Sequence, residues 1–107
     1  MQPIIKNNLE AIKALCVQNK LKHLFLFGSA TNNSFSHNSD VDFLIDYNKD
    51  EEELPLHYFD YFDLKFGFEK LLGRKVDLVT ADALKNSYII DAIKKSKILI
   101  YEDAIIE

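Results

Sequence analysis

The sequence predicts a mixed α/β or α+β sheet. Three observations carry that prediction. Short apolar runs occur at 24–27, 41–47, 76–80 and 98–101. Helical stripes precede the first run and separate the later ones, the arrangement that builds a sheet with helices packed on it. A polar stretch from Thr31 to Ser39 joins the first two runs and breaks the alternation. The chain has 107 residues, which fits one domain over 1–107.

The first helix is expected over residues 3–19. Pro3 suits a first turn, where its missing N–H is not needed. Ile5, Leu9, Ile12 and Cys16 then recur at helical spacing, so one face is apolar. Leu24-Phe25-Leu26-Phe27 is a continuous apolar run that stops at Gly28, as in a strand buried on both faces. Asn, Ser and His dominate Thr31–Ser39, which is loop chemistry, with room for one helical turn just after Gly28. Val41–Tyr47 reads as a strand with two unlike faces. Val41, Phe43 and Ile45 are apolar, whereas Asp42 and Asp46 alternate with Leu44. Asn48–Glu53 is a charged loop, in which Glu51, Glu52 and Glu53 form a solvated run.

Pro55 opens a helix expected to reach Leu72, with Tyr58, Tyr61, Phe62, Phe68 and Leu72 near one side. Gly73 is a left-handed stop. Val76–Thr80 is the third strand. Ser87 caps a helix to about Lys95, with Ile89, Ile90 and Ile93 inward and lysines near its C-terminus. Ile98–Tyr101 is the last strand, and a short tail follows.

Composition excludes several function classes. Thirteen Lys+Arg against seventeen Asp+Glu give a net charge of −4, and Arg74 is the only arginine. Direct nucleic-acid binding, which needs clustered basic side chains, is therefore not expected. A single cysteine, Cys16, cannot form an internal disulfide and fits a reducing, cytoplasmic setting as a buried thiol. No apolar stretch approaches the ~20 residues of a membrane span. Met1-Gln2-Pro3 does not begin a signal peptide.

Three features carry chemistry. Gly28-Ser29 ends a buried strand, where glycine permits a sharp turn and close approach of a ligand. Backbone N–H groups at such a turn, with the Ser29 hydroxyl, can hold a phosphate. Asp40 and Asp42 are two apart at the start of an apolar strand, so their charges repel unless a cation relieves them. Hard oxygen donors suit Mg²⁺. Asp77 lies inside Val76-Asp77-Leu78-Val79, where a carboxylate is costly without a partner. If its strand lies beside 41–47, three carboxylates can gather around a pair of metal ions, the outline of two-metal phosphoryl transfer.

Gly28-Ser29, ten intervening residues, then Asp40-Val41-Asp42 resembles the signature of the DNA polymerase β-like nucleotidyltransferase superfamily. Val76-Asp77-Leu78-Val79 resembles its third-carboxylate strand. In length the chain is similar to the minimal nucleotidyltransferases, often paired with a HEPN-domain protein. The resemblance implies an α+β fold with about four strands and helices mainly on one face. It implies that Gly28 and Ser29 hold a nucleoside triphosphate, ATP. It implies that Asp40, Asp42 and Asp77 ligate Mg²⁺, two ions in all, and that Asp77 helps activate the attacking hydroxyl. The implied reaction moves AMP from ATP onto a tyrosine of a HEPN toxin and silences its RNase, the antitoxin's part in a toxin–antitoxin pair. A hetero-oligomer follows, with a homodimer as a second possibility. The family often continues Gly-Ser as x-Ala-Arg-Gly. Here Asn32 and Asn33 stand at the arginine and second glycine, which removes a guanidinium from the phosphate loop. That departure motivates an alternative, an antitoxin that neutralises its partner by contact with a weak or silent site.

Other residues read as structural. His23, His37 and His57 have no ligand spacing, although His37 lies in the loop over the site. Ser36, Asn38 and Ser39 are polar loop residues. Asp46 is expected to be structural or exposed. Six of the thirteen aromatics fall within the eleven residues 58–68. One helix face cannot hide them all, so Phe59 and Phe66 are candidates for a partner surface. Tyr88 and Tyr101 are packing residues, or self-adenylylation sites if exposed. Gly67, inside the aromatic helix, has no assigned role.

Overall fold

The computed structural model describes residues 2–31, 36, 38–47, 58–80 and 87–103. The expectations for Asn32 and Asn33, His37, 48–57 and the tail beyond 103 lie outside them, as does the Phe59 side chain. The elements are α1 (Pro3–Lys6), α2 (Leu9–Gln18), β1 (Leu21–Phe27), a 3-10 turn (Gly28–Thr31), β2 (Val41–Tyr47), α3 (Tyr58–Leu72), β3 (Val76–Thr80), α4 (Ser87–Ser96) and β4 (Ile98–Glu102).

The expected first helix is two helices. Asn8 Nδ2 donates to the Ile4 carbonyl at 2.7 Å. Its side chain thereby competes for the helical backbone, and the chain breaks at Asn7-Asn8 before α2 begins. The first strand starts three residues earlier than its apolar run. Asn19 Nδ2 donates to the Leu15 carbonyl at 2.8 Å, and Lys20 takes a left-handed φ of 58°. That turn delivers Leu21 straight into the sheet, and Lys22 and His23 are carried along as strand residues.

The sheet order is β3-β2-β1-β4. β1 pairs antiparallel with both β2 and β4, whereas β2 and β3 are parallel. Parallel neighbours need a crossover, and α3 supplies it. One sheet face carries the main core. Leu24, Leu26, Val41, Phe43 and Ile45 pack there with Ile5, Ile12 and Cys16 of α1 and α2 and with Leu64, Phe68 and Leu72 of α3. Phe43 and Phe68 meet at 4.8 Å between ring centroids. Burial pushes the Cys16 thiol up to about 12, so it packs as an apolar group. The opposite face carries a smaller cluster, in which Ile93 of α4 covers Phe27 and Leu44. Helices therefore lie mainly on one face.

The inward stripe of α3 is Tyr61, Leu64, Phe68 and Leu72. Phe66 points away and is 56% exposed, its ring 5.9 Å from that of Phe62. Gly67 faces α2, where a Cβ would meet the Leu15 methyls at 3.5 and 3.6 Å. Those are ordinary contacts, so the α2 packing does not by itself require a glycine here. Gly73 has φ 68° and ends α3, and its N–H donates to the Glu69 carbonyl at 2.8 Å.

Candidate active site

The end of β1 and the starts of β2 and β3 meet at one edge of the sheet. Phe27 pairs with Asp42, and Asp42 pairs with Asp77. The strand alternation that buries Val41 and Phe43 in the main core turns Asp42 to the other face. In β3 the same alternation buries Val76 and Leu78 and leaves Asp77 exposed. Parallel register then sets the two aspartates side by side.

Gly28 follows at once with φ 78°, a left-handed turn that suits glycine. Any Cβ at this position would collide with the Asp42 carboxylate. The backbone of the turn and the acid are therefore in direct apposition. Two further bonds hold the turn. Gly28 N–H donates to Ser96 Oγ at 3.1 Å, and Thr31 Oγ1 donates to the Gly28 carbonyl at 2.7 Å. Ser29 is half-buried in the 3-10 turn that sequence reasoning allowed for, and Ala30 beneath it is fully buried.

Asp40 stands just before β2 and is exposed. Asp42 is only partly accessible, and its carboxyl is pushed up to about 6, first by burial and then by the charges of Asp77 and Asp40. The three acids named from sequence are thus close enough for their repulsion to be felt at Asp42. Such a donor set suits a hard divalent cation in kind and in number. Among the described residues, however, no three His, Cys, Asp or Glu side chains already converge as a cage.

Three contributors were not legible as site neighbours. Tyr61 donates its hydroxyl to the Leu78 carbonyl, and its own acidity is lowered by burial and by the charge of Asp77. Ser96 comes from the far end of α4. Arg74 reaches the loop before Asp40. Only their place in the fold brings them here. His23 and Asp46 belong elsewhere. His23 Nδ1 is 3.2 Å from Asp46 Oδ2, and its Nε2 is 3.6 Å from Glu102 Oε2, a structural tie across β2, β1 and β4. Tyr101 packs against the core, while Tyr88 is exposed.

A family model described as Nucleotidyltransferase domain matches residues 9–100. The chain belongs to this family. This nucleotidyltransferase is 36% identical over 88 residues to "Putative protein adenylyltransferase MJ0128" of Methanocaldococcus jannaschii, across 82% of this chain and 85% of that protein. Its fold is similar to that of a chain in a crystal structure of a toxin–antitoxin with AMP-PNP. That match has a TM-score of 0.71 and 21% identity, and covers 91% of this chain and 75% of the other. It is also similar to a chain of the tri-AMPylated Shewanella oneidensis HEPN toxin in complex with MNT antitoxin. There the TM-score is 0.66 and the identity 19%, over 92% and 72% of the two chains. The fold is thus the polymerase β-like nucleotidyltransferase fold that the sequence implied. No described helix is long and apolar enough to cross a membrane.

Proposed function

We propose that this nucleotidyltransferase moves AMP from ATP to a tyrosine hydroxyl of a HEPN toxin. The observation that carries the reading is the register of Asp42 against Asp77 with Gly28 pressed on Asp42. It puts a left-handed glycine turn and paired acids together at one end of the strands. The names of relatives and neighbours support the choice of acceptor. One is named a protein adenylyltransferase, and structural neighbours are antitoxins in complexes with toxins.

In this reading Gly28 and Ser29 hold the triphosphate, Gly28 by letting the backbone turn sharply with its own N–H tied to Ser96, and Ser29 through its backbone N–H and hydroxyl. Asp40, Asp42 and Asp77 would hold Mg²⁺, which when bound neutralises charge on the phosphates and on the attacking oxygen. Asp77 is exposed, so an acceptor hydroxyl can reach it from solvent. The tyrosine oxygen forms a bond to the α-phosphorus, the α–β bridging bond breaks, and pyrophosphate leaves. The proton of the tyrosine passes to the Asp77 carboxylate.

The test uses labelled ATP, Mg²⁺ and the all-helical product of a neighbouring reading frame, one bearing Arg-x4-6-His. Label on a tyrosine of that product, lost in Asp42→Asn and Asp77→Asn, is expected. No label on an active toxin overturns the reading.

One observation favours a second reading, neutralisation by contact. Phe66 presents an exposed ring beside Phe62 on α3, away from the core. If both aspartate variants still neutralise the toxin undiminished, contact is the mechanism.

A further inference from the structure

Arg74 is the single arginine of the chain, and neither the phosphate turn nor the acid pair has required it. Its Nη1 donates to the Ser36 carbonyl at 2.9 Å and to the Ser39 carbonyl at 2.8 Å. Those two residues already close a turn on each other. Ser39 N–H donates to the Ser36 carbonyl at 3.0 Å, and Ser36 N–H donates to Ser39 Oγ at 3.0 Å. Ser39 is joined directly to Asp40. Arg74 itself stands three residues before Asp77. Between these ends, Val41 N–H donates to the Lys75 carbonyl at 3.0 Å, and from there β2 and β3 run in register.

A guanidinium is planar and permanently charged, so it holds two carbonyls in a fixed geometry. The carbonyls it holds belong to the segment leading into Asp40. The backbone it hangs from leads into Asp77. Register alone aligns Asp42 with Asp77, whereas Asp40 lies one residue before the strand, where the Val41 N–H bond to Lys75 holds its C-terminal side and the Ser36–Ser39 turn holds the other.

We infer that Arg74 is a positioning residue that ties the turn delivering Asp40 to the segment delivering Asp77, and so sets the spacing of the acids across the site. The inference rests on the reading of the three aspartates as the cation-holding groups. It assigns the arginine to backbone carbonyls rather than to phosphate.

The experiment uses the full chain without nucleotide, with Mn²⁺ as the probe. Calorimetric Mn²⁺ titration and amide hydrogen exchange are compared for wild type, Arg74→Met, Arg74→Lys and Asp42→Asn. Arg74→Met is expected to weaken Mn²⁺ binding by about tenfold, the effect of losing a group that orients metal ligands. Exchange at Ser39 and Val41 should quicken in the same variant. Arg74→Lys should recover part of both, and it carries the comparison if Arg74→Met does not fold. Unchanged exchange overturns the tie. Faster exchange with unchanged Mn²⁺ affinity overturns the positioning role. A wild type that binds Mn²⁺ no better than Asp42→Asn overturns the acid-site reading itself, and the role of Arg74 with it.

Discussion

Gly28 and Asp42 share one small space: the carboxylate fills the position that a side chain at residue 28 would take. The left-handed φ of 78° makes the same demand independently. Gly28→Ala must therefore strain the backbone, at roughly 1–2 kcal/mol for an L-residue in that region, and also displace the acid. Transfer should fall about a hundredfold, as expected when reacting groups move by about an ångström. Initial rates with labelled ATP, alongside a melting curve, check this. An alanine variant with near-normal rates would mean that the close approach is not part of the site.

The Asp42 carboxyl gives a pH dependence with a definite sign. Folding raises it from the ordinary 3.8 to about 6. Well below 3.8 both states hold the proton and the group is neutral to stability. As pH rises toward 6 the unfolded chain releases its proton first, so stability falls, and above 6 the full penalty remains. A shift of about two pKa units would correspond to about 3 kcal/mol, and solvent screening of a partly accessible carboxylate brings the penalty well below that. Asp42→Asn should accordingly raise the melting temperature at pH 7.5 and change it far less near pH 4, while abolishing transfer. Equal shifts at both pH values would contradict this account.

Ser96 should matter more than its position suggests. Its hydroxyl oxygen accepts the Gly28 N–H at 3.1 Å from the end of α4. Ser96→Ala leaves that amide without this acceptor, at a cost of about 1 kcal/mol. We expect a lower melting temperature and weaker ATP binding, with Ser96→Thr restoring both. ATP binding unaffected by the alanine would reduce Ser96 to a packing residue.

Cys16 offers a probe of folding that does not touch the site. It is fully buried, with its thiol pushed up to about 12. Native protein should react with a disulfide reagent only as fast as it unfolds. Rapid labelling under native conditions would show that the α2 side of the core opens locally.

The local parts of the site were legible and the tertiary parts were not. Gly28-Ser29, Asp42 and Asp77 stand out because a glycine or a carboxylate interrupts an apolar run, which is a statement about neighbours in sequence. In the sequence the aromatics dominate the stripe of α3 and mask Leu64, which lies at the right spacing between Tyr61 and Phe68. The break at Asn8 depends on one side-chain bond to Ile4, which periodicity does not register. Ser96 and Arg74 sit in ordinary helix-end and turn contexts. What places them is the crossing of α4 over β1 and the parallel pairing of β2 with β3.

That parallel pairing has a consequence for how the protein comes to be active. Asp42 and Asp77 are neighbours in register yet 35 positions apart in the chain. Contacts of such separation close late, after the entropy of the intervening loop has been overcome. The paired acids of the proposed site therefore form only once β3 has docked beside β2. On the ribosome, the chain would stay inert until the whole crossover has emerged.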